Sequence, residues 1–247
     1  VLSAAPIAGL TAPVTLAGML AQSNAEQLAG LALTQLANPG TPVLMGAIPA
    51  TADMHSGKFL AGSVEFGLAN AAISQLTQYY GIPNYNSAGL TESKLPDIQA
   101  GIEKAHSTIM AALAGSNFIH HAAGMLEDMS TVAYEQFVID NETIGMTMRA
   151  LEGINVTDET LAVEVIDHVG PGGHFLLEDH TVEHLRDEFY FPSLVMDRKS
   201  RDEWTEDGSH DARARARYIA QRILAEHRAS ALPEKVDTWI HEHYPIV

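Results

Sequence analysis

Residues 81–122 read GIPNYNSAGLTESKLPDIQAGIEKAHSTIMAALAGSNFIHHA. Two short runs, 84–87 and 118–122, flank a longer helical pattern from Pro96 to Ala114. Proline suits the first turn of a helix, and Gly115 stops it. A helix between two short strands specifies a parallel pair joined by a crossover. The same rhythm extends outward in both directions. Upstream, a strand over 1–8 leads to a helix over 15–36, in which Leu16, Met19, Leu20, Leu28, Leu31 and Leu36 share one stripe. Asn38-Pro39-Gly40 ends that helix, and a second strand, 43–48, follows. A polar loop, TADMHSGKF, precedes a helix over 63–80 that Gly81 caps. Downstream, the loop AGMLEDMS leads to a helix over 131–151, with Ser130 or Thr131 as its N-cap and Glu135 in its first turns.

These are four strand-and-helix units within residues 1–152. Beyond them helical patterns dominate, over 158–169, 181–189, 212–228 and 233–244, and they define an extension, 153–247, expected to pack on the units. The expected class is α/β, with strands all parallel. A closed parallel barrel has eight strands in roughly 250 residues, so the length fits one but the count gives half. An open four-stranded parallel sheet leaves exposed edges and an uncovered face. The other half is therefore expected to lie outside this chain or to come from another subunit. The beginning favours the first, because Val1 already falls in a strand pattern and is not Met.

Of 247 residues, 14 are Lys or Arg and 31 Asp or Glu, a formal charge of −17. A polyanion repels phosphate backbones and anionic lipid, so nucleic-acid and membrane-surface binding are not expected. The one arginine-rich run, Arg213, Arg215, Arg217 and Arg222, alternates with alanine near Asp207, Asp211 and Glu226, which reads as the solvated face of a helix. With no cysteine there are no disulfides, thiolate nucleophiles or cysteine-ligated metals, and histidine and carboxylate chemistry remain. No run approaches the ~18 apolar residues of a membrane span, and VLSAAPIAGL lacks the charged start of a signal peptide. The expectation is a cytoplasmic protein.

In parallel sheets ligands sit at the C-terminal ends of strands. The densest chemistry there is FIHHAAGMLED, which offers His120 and His121 and then Glu127 and Asp128. Adjacent strand residues point to opposite faces, so only one of the two histidines is expected to face the interior. Histidine at a strand end serves proton transfer or ligation, or is a satisfied core residue. A second set is His168, His174, His180 and His184. His180 and His184 share a helical face, as paired metal ligands do, but H-T-V-E-H lacks the central glutamate of the H-E-x-x-H pattern, and a surface helix explains them as well. Phe59, Tyr85, Phe118, Tyr134 and Phe175 fall near the presumed working face, where aromatic rings serve either as core or as a cage for an ammonium ion.

Five runs taken together resemble the trimethylamine methyltransferase family: APIAGLTAPVTLAG, GAIPATADMHSG, YYGIPNYNSAGLTESKLPDIQAG, NFIHHAAGMLED with AYEQFVIDNE, and GPGGHFLLEDHTVEHLRDEFYFP. They fall in the family's order up to about residue 192. Family members look about twice as long and form a complete (β/α)8 TIM barrel, so the chain resembles their C-terminal half. The resemblance implies methyl transfer from a methylated amine to the cobalt of a corrinoid (cobalamin) held by a separate protein. It implies His121 and Glu127 as catalytic residues and His174 as a second-tier site; with His174, the strand-end His120 and the aromatics Tyr85, Phe118 and Phe175 singled out above are the expected substrate-binding residues, and no metal site is expected. Archaeal relatives carry pyrrolysine near the position of Tyr85 to Ser87, whereas this sequence has only standard residues. That tilts the expected substrate toward a quaternary amine such as glycine betaine, with trimethylamine retained. The expected partners are the corrinoid protein, the small methylated amine, and either further copies of the chain or an N-terminal half. Two other readings stand beside it: a non-catalytic half-barrel scaffold that binds the corrinoid protein, and a metal-dependent hydrolase using histidine ligands.

Overall fold

The computed structural model describes residues 1–227 and 232–244. Along the first 152 residues run β1 (Leu2–Ala4), β2 (Ile7–Ala8), α1 (Leu16–Ala37), β3 (Met45–Ala47), β4 (Ala50–Ala52), β5 (Phe59–Leu60), α2 (Val64–Tyr80), β6 (Asn84–Ser87), α3 (Ile98–Leu113), β7 (Phe118–His120), β8 (Met125–Leu126), β9 (Thr131–Val132) and α4 (Tyr134–Glu152). One sheet holds β1, β3, β6 and β7 in that order, every pair parallel. Neighbours in the sheet are neighbours in the chain's repeat, each reached through a helix. The result is a mixed α/β chain with a parallel sheet.

Helices cover one face of that sheet. Ala4 of β1 and Ala47 of β3 pack on Ile73 of α2 and Leu20 of α1. The next strand is polar: all four residues of β6 are buried, and the amide N–H groups of both its asparagines donate to α2. Asn86 donates to the Asn70 carbonyl (3.1 Å) and to Ser74 Oγ (2.5 Å), and Asn84 donates to Thr77 Oγ1 (2.8 Å). Buried amides left unpaired would each cost roughly 1–3 kcal/mol, so these bonds fix the position of α2 on β6. The other face is different. A row in register, Ser3, Gly46, Tyr85 and Phe118, crosses it, and Ser3, Ala5, Phe118 and His120 are exposed there. The edge strands β1 and β7 each have one neighbour.

Local boundaries depart from the sequence reading for identifiable reasons. The strand expected over 1–8 is two, β1 and β2, separated by Pro6, which has no N–H for a ladder. Leu36 of the expected apolar stripe is 81% exposed, and the face that α1 buries carries Met19, Ser23 and Gln27. Gly81 ends α2 in the left-handed conformation, as expected, and Ser63, expected as the helix's first residue, is its N-cap. Pro96 does not enter the first turn of α3; Asp97 is the cap, its carboxylate accepting from the Ala100 amide at 3.0 Å. Neither Ser130 nor Thr131 caps α4, because Thr131 pairs with Leu126 in the small β8–β9 hairpin and the helix begins after Ala133.

Beyond α4 lie α5 (Asp158–Leu161), α6 (Val163–Val169), α7 (Asp179–Glu188), α8 (Arg201–Glu206), α9 (Ala212–Glu226) and α10 (Glu234–His243). The helix expected over 158–169 is broken at Ala162, which takes φ +50°. Arg228, the expected end of the 212–228 pattern, lies outside the described residues. Of the extension, α9 packs on the body: Ala216 and Ile219 join Val195 in a cluster with Val138 and Ile139 of α4. Residues 153–188 include no fully buried residue, and most of them are exposed.

Gly46 lets the sheet close on the open face, since a Cβ there would run into the Tyr85 carbonyl and ring. Gly46→Ala is therefore expected to destabilise the chain by about 1–3 kcal/mol, the cost of overpacking, read as a lower urea midpoint with an unchanged slope.

Candidate functional site

The strand ends of β6 and β7 bring four expected residues together. His121 leaves the strand with φ +66°, a conformation uncommon for a residue with a Cβ. This overturns the expectation that His120 and His121 face opposite sides: the backbone turns at His121 and the two rings lie 3.5 Å apart between centroids. His121 Nδ1 is 2.8 Å from Ser87 Oγ, which ties the end of β7 to the end of β6. His120 in turn meets the Tyr85 ring edge-on at 6.1 Å and stacks with Phe118 at 6.3 Å. The Tyr85 hydroxyl hydrogen-bonds Ser3 Oγ, so the cluster reaches across the sheet to β1. Burial, with the neighbouring His120 adding to it, pulls the His121 imidazole down to about 4.

The loop after β7 is held in a costly backbone. Glu127, Asp128 and Met129 are consecutive left-handed residues, with φ of +48°, +51° and +75°, a conformation that costs about 1–2 kcal/mol per residue. Two backbone bonds hold it to the loop after β6: the Glu127 amide to the Ser93 carbonyl (2.9 Å) and the Asp128 amide to the Thr91 carbonyl (3.0 Å). Beneath both loops lies a buried ion pair. Lys104 Nζ of α3 is 3.1 Å from Asp140 Oδ2 of α4, with side chains 1% and 2% exposed. Lys104 also donates to the carbonyls of Gly89 and Met125, and Asp140 accepts from the Gly124 amide at 2.7 Å and from Gln136 at 2.8 Å. Burial pulls the Lys104 ammonium down and pushes the Asp140 carboxyl up, and each charge opposes that drift in the other.

The remaining expected residues are placed elsewhere. The Glu127 carboxylate accepts from Thr131 Oγ1 at 2.9 Å, a contact within its own loop. His174 and Phe175 lie exposed between α6 and α7, with no hydrogen bond or ring contact to the histidine pair among the described residues. Phe59 packs on the Phe66–Leu90 cluster and Tyr134 is 65% exposed at the start of α4, so the aromatics form no single cage. The His180 and His184 rings meet at 4.4 Å between centroids, tilted by 46°, and His184 Nε2 is 3.6 Å from Glu159. Among the described residues, no group of three or more His, Asp or Glu side chains converges as a metal site would require.

The sequence reading missed Ser87, Lys104 and Asp140. For Lys104 a signal existed: it sits at four-residue spacing between Ala100 and Thr108, on a face of α3 that also buries Ser107 and Ala111. A lone cation on a face of small residues has nowhere to send its charge except into a partner.

A parallel sheet with its chemistry gathered at the C-terminal strand ends defines an α/β protein of the kind that binds ligands at that edge. The profile described as trimethylamine methyltransferase (MTTB) matches residues 1–244. A glycine betaine methyltransferase of Desulfitobacterium hafniense (strain Y51) is 41% identical over 231 residues, covering 94% of this chain and 48% of the relative. The trimethylamine methyltransferase MttB of D. hafniense (strain DSM 10664 / DCB-2) is 42% identical over 93% of this chain and 46% of its own length. That of Methanosarcina barkeri is 41% identical over 92% of this chain and 45% of its own. The chain belongs to the trimethylamine methyltransferase family, and it spans about half the length of the curated relatives it matches.

Two outcomes follow from this geometry. His121 binds its proton more weakly folded than unfolded, so between about pH 6.5 and about 4 the unfolded chain holds more protons and stability falls as pH is lowered through that window. An NMR titration should place its midpoint near 4, and His120→Asn, which removes the neighbouring charge, should raise it. Lys104→Met leaves the Asp140 charge buried without a partner and should cost about 3–5 kcal/mol in urea unfolding, with Asp140→Leu in the same chain recovering part of the loss.

Proposed function

We propose that this chain forms the C-terminal half of a (β/α)8 barrel, four units over residues 1–152 with a helical extension over 153–247. The barrel would move a methyl group from a methylated amine to a corrinoid carried by a separate protein. The observation that carries the reading is the cluster of Tyr85, Phe118, His120 and the low-pKa His121 on the uncovered sheet face. The reduced cobalt of the corrinoid supplies the nucleophile. This chain's residues bind and orient the amine and keep positive charge away from it.

The cluster fits an ammonium substrate. It presents ring faces, each contact contributing roughly 0.5–2 kcal/mol to a bound cation, and it contains no Lys or Arg. An imidazole whose pKa is about 4 stays neutral near pH 7, so it does not repel the substrate's charge. For the same reason His121 is a poor proton donor to a neutral tertiary amine. When a quaternary ammonium gives up its methyl group, the nitrogen keeps the C–N electron pair and leaves as a neutral amine, with no proton needed. Orientation then carries most of the catalytic work. Those two facts favour a quaternary amine of the glycine betaine kind over trimethylamine. In this reading His121, fixed by Ser87, orients the substrate, Glu127 adds negative charge on the loop that His121 begins, and the exposed His174 and Phe175 have no role in the cluster.

The exposed rings of Phe118 and His120 stand at the sheet's open edge, which suits approach by a second protein and leaves room for the other four units. The test is methyl transfer to reduced free cobalamin by the natural gene product, comparing glycine betaine, other betaines and trimethylamine. Transfer from a betaine is expected, and His121→Ala should lower it at least tenfold, a barrier change of about 1.4 kcal/mol. Turnover unchanged in His121→Ala removes that residue from the site, and no transfer from any methylated amine overturns the reading.

A further inference from the structure

Residues 153–188 form an excursion whose two ends are held by one side chain. Arg149 donates to the Gly153 carbonyl (3.0 Å) at one end and to the Glu188 carbonyl (3.1 and 2.7 Å) at the other. Between these points the chain builds α5, α6 and α7, yet none of its residues is fully buried and most are exposed. Ten of its large hydrophobic residues are exposed, among them Ile154 at 87%, Leu177 at 81%, Leu176 at 74% and Val182 at 70%. Helices this short are marginal in water without an apolar face packed on something. Exposed apolar surface on this scale marks an interaction site.

The charge of the excursion limits what can cover it. It carries nine acidic residues against one basic residue, Arg186. Two such arms facing each other would repel, and an acidic partner would be excluded. The same chain offers the complementary surface. On α9, Arg217 and Arg222 are exposed and join no ion pair among the described residues, beside exposed Tyr218, Ile223 and Leu224. Two cavities, of about 970 and 680 Å³, flank that helix and share Ser193, Leu194 and Ile219 in their walls. Their walls are mostly apolar; the larger is bordered by Arg198, Lys199 and Arg215 together with Asp197, Glu203 and Asp207, of which Asp207 pairs with Lys199 and Asp197 with Arg215, while among the described residues Arg222 is the one charged residue on the smaller.

We propose that the 153–188 arm of one copy docks along α9 of a second copy, its apolar residues entering the two grooves and its carboxylates meeting Arg217 and Arg222. If the exchange is reciprocal, the contact is two-fold and closes on itself. A stable interface engages roughly 20–30 residues a side, and the arm supplies that number without unfolding anything. The inference stands apart from the catalytic reading, since none of these residues belongs to the strand-end cluster.

The test is the mass of the natural gene product by light scattering at micromolar concentration, with the fold of each variant checked by circular dichroism. The unaltered product is expected to hold two copies or a multiple of two. Reversing the arm (Glu178→Arg, Glu183→Arg, Asp187→Arg) or the helix (Arg217→Glu, Arg222→Glu) should each halve that mass or more, and combining both sets in one chain should restore it. Leu177→Asp with Val182→Asp should also dissociate it, with no rescue by the charge swap. A product of single-copy mass, or a mass unchanged by both reversals, overturns the proposal. So does an arm that resists proteolysis in a single-copy product, because the remainder of the same polypeptide then covers it.

Discussion

The Lys104–Asp140 pair is the constraint on which the candidate site depends. Two charges nearly sealed from water would be destabilising if either lacked partners. Here each is saturated: the ammonium meets the Gly89 and Met125 carbonyls, and the carboxylate meets the Gly124 amide and Gln136. Gly89, Gly124 and Met125 belong to the segments after β6 and β7, while the charges and Gln136 come from α3 and α4. Four elements therefore cannot move independently without exposing an unpaired buried charge. Gly89 and Gly124, with φ of +72° and +84°, let the loops come this close; a Cβ on Gly89 would lie 2.8 Å from the Ala122 backbone. The left-handed run Glu127 to Met129 and the turn at His121 are stable only because the ends of the loop are clamped in this way.

This clamp explains why some of the structure was legible in the sequence and some was not. Proline and glycine punctuation made the four units readable, since Asn38-Pro39-Gly40, Gly81 and Gly115 act locally. The hairpin of β8 and β9 was not visible, because two-residue strands carry no periodicity. The pairing of His120 with His121 was misjudged for a related reason: alternation holds only while the backbone stays extended, and nothing in F-I-H-H announces that the fourth residue turns. Lys104 and Asp140 are 36 positions apart, and only the packing of α3 against α4 brings them together.

The polar interior is consistent with the same picture. In most parallel sheets the strands read as apolar runs, but β6 is Asn-Tyr-Asn-Ser and wholly buried. Its asparagines spend their hydrogen bonds on α2, leaving Tyr85 and Ser87 to serve the other face. A strand so committed on both sides has little freedom of register, because a slip of one residue would send both asparagines away from their partners. Precision at the strand end is thus set by hydrogen bonds as much as by packing.

The two exposed surfaces differ in kind and call for different partners. The uncovered sheet face is small-chained and weakly apolar, with Ser3, Ala5 and Gly46 beside the rings of Tyr85 and Phe118, and it is bounded by two strands that each lack a neighbour on one side. The 153–188 arm is the reverse, long-chained, helical and acidic, with the backbone of its helices already hydrogen-bonded, so it calls for side-chain burial and counter-charge rather than strands. A chain that spans about half of its relatives' length thus carries two separate surfaces, one open to strand pairing and the other to apolar and charged contact.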